Sequence, residues 1–112
     1  MRIKKSLERL MLKRKGLLTI EVSDYALDQY KNYVREHKKD TPFEIEKYVN
    51  RNIRLVTKLK DKGYLQIFKY GCLKLFVDNT NTLVKISNNY RDKNPSVIDL
   101  VEKEKLTHMY RL

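Results

Sequence analysis

Hydrophobic residues recur with a helical period at the start of the chain. In residues 2–15, four apolar side chains follow one another at spacings of four, three and one, on one side of a helix: Ile3, Leu7, Leu10 and Met11. This pattern predicts an amphipathic helix that buries the stripe and leaves its basic residues in solvent. Gly16 is expected to end the helix, because a residue with positive φ commonly follows the last turn.

Two more helices are predicted in the first half of the chain. The first begins after Ser23 or Asp24 and runs to about residue 37. The second begins at residues 41–44, Thr-Pro-Phe-Glu, which combine a capping box with proline at the first helical position. Its apolar face continues to Leu59, so we expect this helix to run from residue 42 to residue 62.

Segments with strand-like alternation of apolar and polar residues separate or follow these helices. Four strands are predicted, at residues 17–22, 64–70, 72–77 and 82–88. Gly71 indicates a tight bend, residues 78–81 a hairpin turn, and Ser96 with Asp99 the start of a last helix toward Tyr110. The order α-β-α-α-β-β-β-α predicts one α+β domain over residues 1–112. We expect an antiparallel sheet of three or four strands with helices packed on it.

Composition excludes several classes of protein. The chain has 112 residues, one cysteine, two histidines and three glycines. These counts exclude an internal disulfide framework, a four-ligand Cys/His zinc site, a Rossmann fingerprint and a P-loop. We therefore predict no metal and no cofactor. The lack of a long apolar run or a signal segment, together with the single cysteine, predicts a cytoplasmic protein without membrane contact.

The net charge of +11 is concentrated in two blocks. Residues 1–15 and residues 51–74 each contain seven bases and one acid, whereas the rest of the chain is nearly neutral. Concentrated positive charge is typical of a surface that binds a polyanion. The candidate site residues in the first block are Arg2, Lys4, Lys5, Arg9, Lys13, Arg14 and Lys15.

The third predicted helix adds a basic ridge. Five cations recur at helical spacings opposite its apolar face: Lys47, Arg51, Arg54, Lys58 and Lys62. Such a ridge could follow a phosphate backbone. We therefore predict a non-enzymatic nucleic-acid-binding protein, an accessory or regulatory factor of the kind that phages and mobile elements encode. DNA is favoured over RNA, and no residue is assigned a catalytic role.

Residues 18–92 resemble the RelE/ParE toxin superfamily, which has a strand, two helices and then an antiparallel sheet. The similarity lies in residues 23–30 (SDYALDQY) and in the sheet segment 67–77 (IFKYGCLKLFV). One branch of the family has a Ser-x-His-Ala-x-x-Arg-like signature. Tyr25 and Gln29 occupy its His and Arg positions here. The resemblance implies an RNA-facing or DNA-facing protein, with a ribonuclease toxin or an inactive relative as the alternative function.

The element order also resembles a winged helix-turn-helix domain. That resemblance implies that the third helix, with Lys47, Arg51, Arg54 and Lys58, enters DNA. Residues 73–86 would form the wing, with residues 79–81 at its tip.

Two further alternatives concern the chemistry. RNA cleavage without a metal uses lysine, arginine, tyrosine and histidine. These residue types occur near the C-terminus, at His108, Tyr110 and Arg111, and on the strands, at Lys69, Lys74 and Lys85. The basic blocks would equally suit a small inhibitor or adaptor that binds an acidic protein surface.

Overall fold

The structure, a computed structural model, describes residues 2–56 and 58–112, with the side chains of residues 2–6 and 35 left out. Four helices and five strands make up this part of the chain. The helices are α1 (Arg2–Arg14), α2 (Asp24–Tyr33), α3 (Pro42–Arg54) and α4 (Leu100–Met109). The strands are β1 (Glu21–Val22), β2 (Lys58–Asp61), β3 (Leu65–Tyr70), β4 (Leu73–Asp78) and β5 (Thr82–Asn88).

The five strands form one mixed sheet in the order β1-β5-β4-β3-β2. β1 runs parallel to β5, and the other neighbours are antiparallel. The predicted α+β class is confirmed. The predicted number of three or four strands is too low, because β2 forms within the segment predicted as the end of the third helix.

The end of α3 is the largest correction to the predicted elements. The helix stops at Arg54, with Leu55 as its C-cap, rather than continuing to residue 62. The chain then turns into β2, which pairs with β3 and contains a bulge between Lys58 and Lys60. The helical spacing of apolar residues continues past Arg54. In β2, however, backbone N–H and C=O groups bond to β3 across the sheet instead of along a helix.

The bounds of β1, α2 and α4 also differ from the predicted ones. β1 is two residues long, whereas residues 17–22 were predicted, because the Asn50 side chain binds the backbone of Thr19 and Ile20 there. α2 ends at Tyr33 and is followed by a 3-10 turn, Arg35–His37. α4 begins only after Asp99, whose carboxylate accepts hydrogen bonds from the first turn.

Two apolar clusters hold the elements together. The larger lies between one face of the sheet and helices α2 and α3, with Ala26, Tyr30, Ile45, Val49, Leu75, Val77, Leu83 and Ile86 among its buried members. The smaller joins α1, α4 and the segment after α1 through Leu12, Leu17, Leu18, Leu106 and Tyr110. Helices α2 and α3 therefore cover one face of the sheet, and α1 and α4 are anchored apart from that main core.

The apolar stripe predicted to bury α1 faces outward. Leu7, Leu10 and Met11 are 55%, 45% and 44% exposed, whereas Leu12 is 3% exposed. The side chain of Ile3, the fourth predicted member, lies outside the described residues. α1 is attached through its opposite side, where Leu12 enters the smaller cluster and ion pairs reach α3.

Candidate nucleic-acid interface

The ridge predicted on α3 is not a solvent-facing line of cations. Lys47 is 5% exposed, and its Nζ lies 3.1 Å from Glu8 Oε1 of α1 and 4.9 Å from the Phe43 ring centroid. Because its charge is neutralised inside the contact between α1 and α3, Lys47 has a structural role. The sequence predicts a solvent-exposed lysine at this position, and the structure shows a buried one.

Arg51 is also buried, with 7% of its surface exposed. Its guanidinium donates two hydrogen bonds to Asn52 Oδ1, at 3.2 and 3.0 Å, and one to Thr107 Oγ1 of α4, at 3.3 Å. It also lies 5.0 Å from the Tyr48 ring centroid. Arg51 therefore ties α3 to α4, and its donors are not directed at solvent.

The other three ridge residues are exposed but do not share a helix face. Arg54 ends α3 and donates to the Gly16 carbonyl just after α1. Lys58 lies on β2 and pairs with Asp61 at 3.1 Å. Lys62 follows β2, so the line of five cations does not exist in the fold.

The N-terminal block is partly engaged. Arg9 pairs with Glu46 of α3 at 3.3 Å, whereas Lys13, Arg14 and Lys15 are exposed. The side chains of Arg2, Lys4 and Lys5 lie outside the described residues. Arg54 of the second block reaches the chain just after α1, at the Gly16 carbonyl.

The segment predicted as a wing is central to the sheet. Residues 73–86 include β4, which lies between β5 and β3, and most of β5, which lies between β1 and β4. The turn at its tip has the predicted geometry, with Asn81 at a φ of 59° and the Asp78 carboxylate accepting from Thr80 and Thr82. Both strands are needed for the main core and do not project as a wing.

Strand register instead gathers lysines on the sheet face opposite α2 and α3, which we call the open face. One cross-strand row on this face runs from β2 to β5 and contains Lys60, Ile67, Phe76 and Lys85. The next row contains Lys69, Lys74 and Ser87. Lys60 and Lys85 thus end the row that contains Ile67 and Phe76, and Lys69 and Lys74 lie in the row beside it, whereas the row on the other side contains Leu65 and Asp78. Ile67 is only 8% exposed. The side of this face that carries the lysines suits contact with an extended anion.

The charges of the open face are only partly neutralised. Lys69 and Lys74 are directly opposite each other on β3 and β4, and like charges in that relation are destabilising. Lys69 Nζ lies 2.6 Å from Asp92 Oδ2 and also donates to the Asn94 carbonyl. This ion pair lowers the pKa of Asp92, and Lys74 adds to the effect. Lys85 Nζ lies 5.6 Å from the Phe76 ring centroid.

The sequence contained a signal for this surface that the prediction did not use. Leu73, Leu75 and Val77 alternate with Lys74 and Phe76, and alternation assigns the two sets to opposite faces of a strand. Lys69, Lys74 and Lys85 were noted only as residue types suited to RNA chemistry. Their common face depends on the pairing of β3 with β4 and of β4 with β5, which alternation within one strand does not specify.

The C-terminal residues considered for catalysis do not form an accessible group. Tyr110 is fully buried, and its hydroxyl donates to the Leu17 carbonyl at 2.6 Å. Burial raises the pKa of Tyr110 above its ordinary value. His108 and Arg111 are exposed on either side of it. Tyr110 therefore stabilises the smaller cluster and is not available to a substrate.

His37 is half-buried in the turn between α2 and α3. Its Nδ1 lies 2.6 Å from Asp40 Oδ2, and its ring lies between those of Tyr30 and Tyr48, with centroids 5.6 and 4.0 Å away. Burial is also the main cause of a raised pKa for Tyr30. These contacts fasten the turn between α2 and α3.

A shallow cleft lies where the end of α3 approaches β2 and residues 96–97. It has a volume of about 400 Å³ and is lined by Leu55, Val56, Lys58, Leu59, Lys69, Ser96 and Val97. Within the described part of the chain, three or more His, Cys, Asp or Glu residues do not come together as a metal site would require. No helix there is both long and apolar enough to cross a membrane.

Comparisons with protein-family models, with curated proteins and with solved structures gave no match for this chain.

Proposed function

We propose that this protein is a non-enzymatic nucleic-acid-binding factor that contacts its partner through the open face of the sheet. The observation that carries the proposal is the cross-strand register of Lys60, Lys69, Lys74 and Lys85. Only one carboxylate, that of Asp92, pairs with these lysines among the ion pairs of the described residues. Phosphate groups are the anions that such a row of flexible ammonium groups neutralises well.

The proposal keeps the partner predicted from sequence but moves the contact surface. The helical ridge was the feature that favoured duplex DNA, and two of its five cations are buried. The open face offers lysine ammonium groups for phosphate contacts and the half-buried ring of Phe76, features that also suit a single strand. Ile67 beside that ring is buried and does not add to the contact surface. The single free cysteine, Cys72, is compatible with the proposed cytoplasmic location.

The test is a binding panel with single-stranded and duplex DNA and RNA at several salt concentrations. We expect affinity to fall with salt, with a logarithmic slope of about 0.9 per phosphate neutralised on duplex DNA. The double variant Lys74→Ala/Lys85→Ala should weaken binding and flatten that slope. The matched control Lys38→Ala/Lys39→Ala removes two exposed lysines from the turn before α3 and should change neither quantity. An affinity that is absent at low salt, or equal in both double variants, would refute the proposal.

A ribonuclease related to the RelE/ParE toxins is the second candidate. It is supported by the succession of β1, α2, α3 and the antiparallel strands β2 to β5, which is the order that the resemblance implies. Incubation of the purified protein with RNA tests it. Cleavage that is retained in Lys38→Ala/Lys39→Ala and lost in Lys74→Ala/Lys85→Ala supports the candidate, whereas intact RNA at stoichiometric protein excludes it.

A further inference from the structure

The outward side of α1 carries a line of apolar residues that ends in a cation. Leu7, Leu10 and Met11 are the exposed apolar members, and exposed Arg14 follows one turn later. Residues at spacings of three, four and seven share one side of a helix, so these four form a strip about 10 Å long. We call this strip the outer face of α1.

The fold does not use the outer face. α1 is attached through Leu12, through the Glu8–Lys47 ion pair at 3.1 Å and through the Arg9–Glu46 pair at 3.3 Å. Leu7, Leu10 and Met11 belong to neither of the two core clusters found in the described residues. Their hydrophobic character therefore has no explanation in the packing of the described chain, and burial against another molecule would recover it.

The positive charge beside the outer face favours an acidic partner. Lys13, Arg14 and Lys15 are exposed at its C-terminal end, and the single acid of α1, Glu8, is occupied by Lys47. Two copies of the chain would bring like charges together, which disfavours self-association through this face. A helix that lies on a membrane usually presents a broader apolar side with aromatic residues, and this strip is narrow and has none.

We propose that the outer face of α1 docks against an acidic amphipathic helix of a partner protein. Anchors at positions i, i+3, i+4 and i+7 are those that helix-to-helix recognition employs. Acidic side chains flanking the apolar side of the partner helix would pair with Lys13, Arg14 and Lys15. This surface is separate from the open face, so the inference does not depend on nucleic-acid binding.

The experiment measures binding of the full chain to a model helix by calorimetry. The probe is a peptide of about four heptads with leucine at a and d and glutamate at e and g, and its counterpart has lysine at e and g. We expect salt-sensitive binding to the glutamate peptide alone. The variant Leu7→Gln/Leu10→Gln/Met11→Gln should bind about tenfold more weakly. Glutamine is a good helix former, so the helix and the thermal midpoint should be retained.

The matched control is Val97→Gln/Val101→Gln, which makes two exposed apolar residues outside α1 polar and should bind normally. Each of the following results would overturn the inference. These are no binding to the glutamate peptide, equal binding to the lysine peptide, equal binding by the triple variant, and a dimer in sedimentation that the triple variant abolishes. Binding to phosphatidylglycerol vesicles with no binding to the glutamate peptide would also overturn it and identify a membrane surface instead.

Discussion

Lys69 and Lys74 face each other directly across β3 and β4, so two ammonium groups occupy neighbouring positions on one face of the sheet. Like charges directly opposite each other repel, although both lysines also favour the Asp92 carboxylate. Asp92 relieves Lys69 but leaves an excess of positive charge on the open face. The repulsion is consistent with a surface kept for binding an anion.

Replacing Lys74 should separate stability from binding. In Lys74→Thr, the repulsion is removed and a residue with good strand propensity takes its place, so the free energy of unfolding should rise by about 0.5 kcal/mol. Nucleic-acid affinity should fall in the same variant. Urea unfolding and a binding titration measure the two effects. A less stable variant with unchanged affinity would contradict both parts.

Asp92 should act as an internal competitor for phosphate. Asp92→Asn removes the carboxylate that lies 2.6 Å from Lys69 Nζ, and we expect nucleic-acid affinity to rise about threefold at low salt. Asp61→Asn is the control, because Asp61 pairs with Lys58, which lies outside both rows of the open face. If neither variant alters affinity in a protein that binds, the competitor role of Asp92 is wrong and the nucleic-acid proposal stands.

The same ion pair predicts an acid dependence. The pKa of Asp92 is lowered chiefly by its hydrogen bond with Lys69, so the folded state favours the carboxylate. Its contribution to stability is therefore present above the ordinary aspartate value of about 4 and is lost as the pH falls through the lowered pKa. Thermal midpoints between about pH 6 and pH 2 should decline less steeply in Asp92→Asn than in the natural chain.

Arg51 should prove structural rather than functional. Arg51→Met leaves Asn52 and Thr107 without their donor, and we expect a loss of about 2 kcal/mol in unfolding free energy. The affinity of the folded variant for nucleic acid should be unchanged. Arg51→Lys keeps the charge but not the forked donors, so it should also be destabilised. If Arg51→Met binds nucleic acid more weakly and Arg51→Lys binds it normally, the charge of Arg51 contributes to binding and the structural assignment is wrong.

Tyr110 should stabilise the fold through one hydrogen bond. Tyr110→Phe leaves the buried Leu17 carbonyl unpaired, which should cost about 1–3 kcal/mol. Tyr90→Phe, at an exposed position, should cost nothing measurable. Burial raises the pKa of Tyr110, so its contribution is fully present below the ordinary tyrosine value of about 10 and is lost at higher pH. Urea midpoints from about pH 8 to pH 11 should fall more in the natural chain than in Tyr110→Phe.

Features set by neighbouring residues were predictable from sequence. The Ser23 and Thr41 caps accept hydrogen bonds from the backbone three residues later, as their residue types indicate. Gly71 has the positive φ expected of a tight bend. Strands β3, β4 and β5 lie within a residue or so of their predicted bounds. Each of these features depends on chemistry within a few positions along the chain.

The candidate site could not be predicted in the same way. Lys47 has the spacing of a solvent-facing cation, and the ion pair with Glu8, 39 residues away, neutralises its charge where it is buried. The end of α3 depends on pairing with β3. The apolar residues keep a helical spacing beyond Arg54, but the backbone there forms hydrogen bonds with β3 as strand β2. Which side of α1 is buried likewise depends on distant contacts.

The sequence by itself determined the α+β class, the starts of α2 and α3, the turns and the basic character of the chain, because local hydrogen bonding, backbone sterics and composition decide these properties. Only the tertiary structure decided where that charge is available. Burial with a distant partner removed Lys47 and Arg51 from solvent, and pairing between strands brought Lys69, Lys74 and Lys85 to one face. Both outcomes depend on contacts between residues far apart in sequence, which a pattern along one chain does not encode.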